Sequence, residues 1–271
     1  MSRPRQRNDR NAHRPGGFSD RRKERPAEGM EWVWGRHAVE AALKNPGRTD
    51  LKRLLLAPGR TLSPATRGEP SRPAAEPLDN AEISRLLPAG AVHQGFALLA
   101  AALEPVPLDE LAEPAQGVIL MLDQVTDPQN IGTILRSAAA FGARGVVLQE
   151  RHAPALSGVL AKAAAGAVDA VPVARVVNLS RAIERLAELG WRAVGLDGDA
   201  RQTLDQVLDG TPTVLVLGSE GEGLRRLVAE HCDAVARIAM AGGFESLNVS
   251  TAAAVALYEA AKLAPAENRV P

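Results

Sequence analysis

The sequence predicts an α/β protein built around a mostly parallel β-sheet with helices on both faces. Three observations carry that expectation. From Gly117 onward, short apolar runs alternate with segments of helical periodicity. The runs are near-continuous in apolar residues, the pattern of strands buried on both faces. Apolar residues make up 45% of the 271-residue chain but aromatic residues only 3%, so Ala, Val and Leu must fill the core, which suits close helix-on-sheet layers.

The expected strands are Val118–Leu122, Gly145–Leu148, Ala170–Val173, Arg192–Leu196, Thr213–Leu217 and Ala236–Met240, with helices at 130–142, 156–166, 179–189, 222–230 and 246–263. Upstream, Glu31–Trp34 reads as a short strand. Gly35 then turns the chain into a helix with Val39, Ala42 and Leu43 on one face. Leu51–Ala57 reads as a buried strand, 58–78 as a Pro-, Gly- and Ser-containing loop, Ile83–Leu87 as a short helix and Phe96–Ala102 as a strand. Pro105, Pro107 and Pro114 punctuate the connection to Gly117. The expected organisation is a tail over 1–29, a small α/β domain over 30–103, a linker over 104–116 and a parallel-sheet domain over 117–271.

Charge is balanced overall, 32 Lys and Arg against 32 Asp and Glu, so no global basic field marks a nucleic-acid binder. Residues 1–25 nevertheless hold nine Lys/Arg against three acids, a local charge of +6 with almost no apolar residue. That composition predicts a disordered tail, either an electrostatic arm for nucleic-acid phosphates or a solubilising appendage. The single cysteine, Cys232, excludes an intrachain disulfide and fits a reducing cytoplasm. No apolar run approaches the ~20 residues of a membrane span, and no secretory signal is expected. The five histidines lack metal-ligand spacing with Cys232, so no metal site is expected.

Three segments stand at expected strand ends, where ligands bind in parallel sheets. The first is L122-D-Q-V-T-D-P-Q-N-I-G-T-I-L-R-S137. Asp127 before Pro128 marks a helix boundary, with Asn130 at the helix mouth, a ligand contact or an N-cap. Arg136 projects from the second turn, toward a site or into solvent. Leu135 and Ala138–Ala140 read as packing residues. The second is G218-S-E-G-E-G223. Its glycine spacing is not that of a dinucleotide or P-loop motif, it has no Lys, and Glu220 repels a phosphate. It suits a ligand held by backbone groups and a carboxylate. The third is S246-L-N-V-S250, opening a small-residue helix after a Gly-Gly turn. Ser246 reads as its N-cap and Asn248 falls in its first turn. His93-Gln94-Gly95 and Asp197-Gly198-Asp199 read as turns with a possible second role.

In order and spacing these segments resemble the three motifs of the SpoU/TrmH family of S-adenosylmethionine-dependent RNA 2'-O-ribose methyltransferases. The resemblance implies a deep trefoil knot in the C-terminal domain and an L30e-like RNA-binding domain before it. It implies transfer of a methyl group to a ribose 2'-hydroxyl of RNA, most similar to the group acting on guanosine of 23S rRNA. A tRNA methyltransferase of the same family and a non-catalytic RNA-binding or assembly protein are the alternatives. The catalytic set implied is Arg136, Asn130, Glu220, Ser246 and Asn248. Leu217, Gly218, Ser219, Gly221, Ile238, Met240, Ser246 and Leu247 are implied to hold the S-adenosylmethionine. The resemblance also implies a homodimer. Ala239 departs from it, since family members often carry proline there.

Overall fold

The computed structural model describes residues 26–263 except Thr49, residues 67–71, His152, Ala155, residues 157–158 and residues 243–245. Residues 1–25 of the expected basic tail therefore lie outside the described residues. Two sheets organise the rest. Strands β1 (Met30–Trp34), β2 (Leu51–Leu56), β3 (Ala75–Pro77) and β4 (Phe96–Ala101) pair in the order β1-β4-β2-β3. Helix α1 (Arg36–Lys44) covers one face, burying Ala38, Val39, Ala42 and Leu43 against Val33, Leu54 and Leu98. Helix α2 (Asn80–Leu86) closes the other, with Ile83 against Trp32, Leu55 and Ala97. An Asp79–Glu82 capping box starts α2.

The second sheet has seven strands: β5 (Val118–Leu122), β6 (Gly145–Gln149), β7 (Val173–Val176), β8 (Arg192–Leu196), β9 (Gln202–Thr203), β10 (Thr213–Leu217) and β11 (Ala234–Arg237). Their order is β7-β6-β5-β10-β8-β11-β9, and every recorded pairing is parallel. Alternate residues of β5 serve opposite cores, which is why its sequence shows no polar face. Leu120 and Leu122 pack with α4 (Pro128–Ala140), α5 (Val159–Ala164) and α9 (Val249–Leu263). Ile119 and Met121 pack with α3 (Leu108–Ala112), α6 (Leu179–Glu188) and α8 (Arg226–Glu230). On α4, the fully buried Ile131, Ile134 and Leu135 each stabilise the fold by about 1.5–3 kcal/mol.

Several sequence expectations shift. Strand β7 begins at Val173, not Ala170, because Pro172 lacks an N–H and only its carbonyl is used, accepting from Val146. Strand β11 ends at Arg237; Ile238 and Met240 leave the sheet, and Met240 is exposed. Helix α8 begins at Arg226, since the glycine loop consumes the residues from 222. Ala138 is buried as expected, but Ala139 and Ala140 are exposed and are not core residues. The short β3, α3, β9 and α7 (Leu204–Val207) were not expected.

A buried ionic cluster joins the two sheets. Arg48, its side chain wholly inaccessible, donates to Asp169 at 2.5 Å and to Glu31 at 2.9 Å. It also donates to the Ala101 carbonyl, and Asn45 donates to the same Asp169 oxygen. Burial works against the Arg48 charge, but Asp169 and Glu31 outweigh it and hold the guanidinium above its usual pKa. Beside this cluster Gly166, at φ +95, meets α1 so closely that an added Cβ would stand 2.8 Å from Ala41 Cβ and 2.9 Å from the His37 carbonyl.

Candidate functional site

The chain order reverses direction across the sheet between β5 and β10, which lie side by side. A crevice at the carboxyl ends of such a pair is where parallel sheets place ligands. The loop after β5 leads into α4, whose N-cap is Asp127; its carboxylate accepts from the backbone N–H of Gln129 and Asn130. Asn130 is therefore a first-turn residue and not the cap. Its side chain is left free to reach across to the loop after β10.

That loop, Gly218–Gly223, owes its shape to its glycines. A Cβ on Gly218 would lie 2.1 Å from the Gly223 carbonyl carbon and oxygen, so any side chain there would displace the loop. Gly221 and Gly223 take φ of 90 and 66, the region that favours glycine. Gly223 N–H returns to the Ser219 carbonyl at 3.1 Å. The turn lifts Glu220 to the surface.

There Glu220 meets the other two motifs. Its Oε1 accepts from Asn130 Nδ2 at 3.2 Å, from Asn248 Nδ2 at 2.5 Å and from the Val249 N–H at 3.3 Å. Asn248 Nδ2 also donates to Asn130 Oδ1 at 3.0 Å. Three residues spread over 118 positions thus form one exposed network. Asn248 has a second role. Its Oδ1 accepts from the N–H and hydroxyl of Ser250 at 2.9 and 2.5 Å, so Asn248 caps α9. The expectation that Ser246 caps this helix is corrected: Ser246 is exposed two residues before the cap.

Arg136 stands apart from the network. It is exposed, and its side chain has no hydrogen bond or ion pair among the described residues. Six residues apart on α4, Asn130 and Arg136 lie about 120° apart around the helix, with Thr133 between them. Leu217 is buried, whereas Met240 and Leu247 are exposed apolar side chains on the segment between β11 and α9. Ser219 and Gly218 lie in the turn, and Ile238 follows β11.

Sequence reasoning missed Asp123. This fully buried carboxylate accepts from the Arg225 backbone N–H at 3.0 Å and from its guanidinium at 2.7 Å. Arg225 also reaches Gln149, at 3.3 Å. The ends of β5, β6 and the glycine loop are thereby tied together, 102 residues apart in sequence for the Asp123–Arg225 pair. A carboxylate directly at a strand end was the available signal. Burial, with Asp233 and Asp123 nearby, pushes the Cys232 thiol up to about 12.

The two turns are each closed by their own side chains. In His93-Gln94-Gly95, His93 Nδ1 accepts from the Gly95 N–H at 3.1 Å and Nε2 pairs with Ser84 Oγ at 2.9 Å; burial holds its pKa below the usual histidine value. Asp197 Oδ1 accepts from the Asp199 N–H, closing the turn after β8. Among the described residues no group of His, Cys, Asp and Glu is arranged to hold a metal, and no helix is long and apolar enough to cross a membrane.

A parallel sheet with a crevice at the β5/β10 switch, a glycine turn and an Asn-Glu-Asn network defines a class: an α/β protein with a polar site at its strand ends. The family model of the SpoU rRNA methylase family matches residues 117–258, and the chain belongs to that family. It is similar to the 23S rRNA (guanosine-2'-O-)-methyltransferase RlmB of Pseudomonas aeruginosa, 40% identical over 243 residues, covering 84% of this chain and 95% of that protein. It is 44% identical over 179 residues to an uncharacterized tRNA/rRNA methyltransferase of Mycolicibacterium vanbaalenii, covering 64% of this chain and 57% of that protein. The chain spans little more than half the length of several such mycobacterial relatives. Among solved structures it resembles the SpoU methyltransferase AviRb of Streptomyces viridochromogenes in complex with the cofactor AdoMet. That match has a TM-score of 0.71 and 25% identity, over 86% of this chain and 90% of that one.

Proposed function

We propose that this protein is an S-adenosylmethionine-dependent RNA 2'-O-methyltransferase acting on a guanosine ribose of 23S rRNA. The observation that carries the reading is the Asn130–Glu220–Asn248 network, with Arg136, unpaired among the described residues, further along α4. The fit to the cofactor rests on the glycine loop. Residues 218–223 carry two carboxylates and no cation, a donor set that suits a positively charged sulfonium and opposes a pyrophosphate. Leu217, Gly218, Ser219, Gly221, Ile238, Met240, Ser246 and Leu247 would hold it, through turn backbone and the exposed Met240 and Leu247 side chains. When bound, it supplies an electrophilic methyl group.

The chain's own residues then have distinct tasks. Three donors on Glu220 Oε1 fix that carboxylate's orientation through one of its two oxygens. Asn130 and Asn248 hold it there. A guanidinium stays protonated, with a pKa above about 12, so Arg136 orients the RNA phosphate and hydroxyl and is a poor base. Ser246, exposed beside Asn248, completes the rim.

The same reading takes residues 30–103 as an L30e-like RNA-binding domain and the C-terminal domain as a deep trefoil knot, on the strength of the family and the sheet order. It also takes the protein as a homodimer. Phe141 and Tyr258 support this: both are exposed, with rings edge to face at 5.9 Å, and the exposed Leu263 follows on α9. Light scattering showing only a 28.6 kDa species at micromolar concentration rejects the dimer. The function is tested by mapping ribose methylation across rRNA and tRNA from a deletion strain. Loss of one 23S guanosine methyl, restored by the gene, is expected. A lost tRNA methyl, or none, overturns the substrate.

A further inference from the structure

Helix α1 has two faces. One is the buried stripe already described. The other carries His37, Glu40 and Lys44 at i, i+3 and i+7, and these line a cleft of about 980 Å³. The opposite wall is α4, through Thr133, Arg136 and Ser137, ending at Phe141, the ring taken above as a contact between copies, and the floor is the small-residue stretch 164–170. The cleft shares Arg136 with the site just described.

Its charges are unequal in availability. The Glu40 carboxylate accepts from the Ser63 N–H at 2.9 Å and from Arg36 at 3.3 Å; burial opposes its charge, and these partners still hold its pKa below the usual value. Asp169 is consumed by Arg48 and Asn45. Lys44 and Arg136 have no such partner among the described residues. Two cations therefore line one open cleft from opposite walls, and both acids that line it already have partners. The buried Glu31–Arg48–Asp169 cluster holds the walls together. A polyanionic strand has the complementary chemistry.

We propose that this cleft seats the RNA strand flanking the reacting nucleotide, with Lys44 as a positioning residue that contacts a backbone phosphate opposite Arg136. The proposal rests on the RNA methyltransferase reading and places the substrate between the two sheets. Its chemistry is sequence-independent, since a lysine contacts phosphate as a point charge.

The test uses the full-length protein and an unmodified transcript of 23S rRNA. Lys44→Glu is expected to raise KM for the transcript by roughly tenfold or more, with kcat and S-adenosylmethionine affinity little changed. Lys44→Ala should flatten the log-log salt dependence of transcript binding by about 0.7–0.9, one phosphate contact. Lys52→Glu is the control, because Lys52 is exposed on β2, paired with Asp50 and outside the cleft. An equal effect from Lys52→Glu, or an unchanged slope in Lys44→Ala, overturns the proposal. So does a change in oligomeric mass on Lys44→Glu, which would make the cleft a contact between copies. Failure of the wild type to methylate the transcript overturns the substrate reading instead, and the binding slopes still decide the cleft.

Discussion

The Glu31–Arg48–Asp169 cluster and the Asn130–Glu220–Asn248 network both join segments far apart in sequence by charged or amide side chains. They sit in opposite surroundings. Arg48 and Asp169 have no exposed side-chain surface, whereas Glu220 and Asn248 are exposed. In the first, Arg48 reaches two carboxylates and a carbonyl, with no group left for a ligand. In the second, all the bonds to Glu220 fall on a single oxygen, and Arg136 on the same helix as Asn130 is unpaired among the described residues. A closed network costs desolvation and returns fixed geometry. An open one gives up some order and keeps groups available for a substrate. The difference separates what docks the two sheets from what we propose does the chemistry.

Substitution should expose that difference, most strongly in the closed cluster. Arg48→Met leaves Glu31 and Asp169 as buried carboxylates without their cation, and should lower stability by about 3–5 kcal/mol in chemical denaturation. A loss below about 1 kcal/mol is what an exposed pair gives, and would show that the cluster is open to water. Arg136→Ala should do the reverse. The melting temperature should hold, because the side chain is exposed and unpaired, while methyl transfer falls by roughly 10²–10³-fold. S-adenosylmethionine affinity by calorimetry should be unchanged. Arg136→Lys should also fail, since a point charge does not copy a planar fork. Wild-type turnover in Arg136→Ala would remove this residue from the site.

Gly218→Ala lies between these two in kind. The new Cβ cannot stand 2.1 Å from the Gly223 carbonyl, so the turn must move, at a cost of about 1–3 kcal/mol. Because the turn positions Glu220, cofactor affinity should fall with stability. Calorimetry showing wild-type affinity would mean that the turn does not form the cofactor cradle.

Much of this arrangement was legible in the sequence where chemistry is local. Thr213–Leu217 and Val118–Leu122 read as strands because burial on both faces leaves an uninterrupted apolar run. The glycine loop and Asn130 announced themselves by position at strand ends. The short β3, α3, β9 and α7 escaped, since periodicity needs length. The signal for α7 was present even so: Thr203 and Gln206 form a capping box. Register errors came from apolar residues with other duties. Met240 reads as strand but faces outward, and Ala139 and Ala140 read as core but lie on the open side of α4. The pairings of Asp123 with Arg225 and of Arg48 with Asp169 were illegible for a deeper reason. The partners are 102 and 121 residues apart, and nothing in the neighbouring sequence names them.

The smallest expected effect is the most discriminating, because Asn248 serves both stability and the open network. Its Oδ1 caps α9, and its Nδ2 donates to Glu220 and Asn130. Asn248→Asp keeps the capping oxygen and removes the donor. Asp and Asn are nearly equal N-caps, and a negative charge at a helix start is favourable by about 0.3–1 kcal/mol. Repulsion from Glu220 acts against that gain across an exposed, high-dielectric site. Stability should therefore change by less than about 0.5 kcal/mol, whereas Asn248→Ala, which loses the cap, should cost about 1 kcal/mol. Methyl transfer should fall in both, because each frees Glu220 Oε1 from its shortest hydrogen bond. The measurements are melting temperature and single-turnover methylation on the same preparations. Full activity in Asn248→Asp would show that Asn248 matters only as a helix cap. Full activity in both variants would leave the Asn-Glu-Asn network a structural device, no different in purpose from the buried cluster around Arg48.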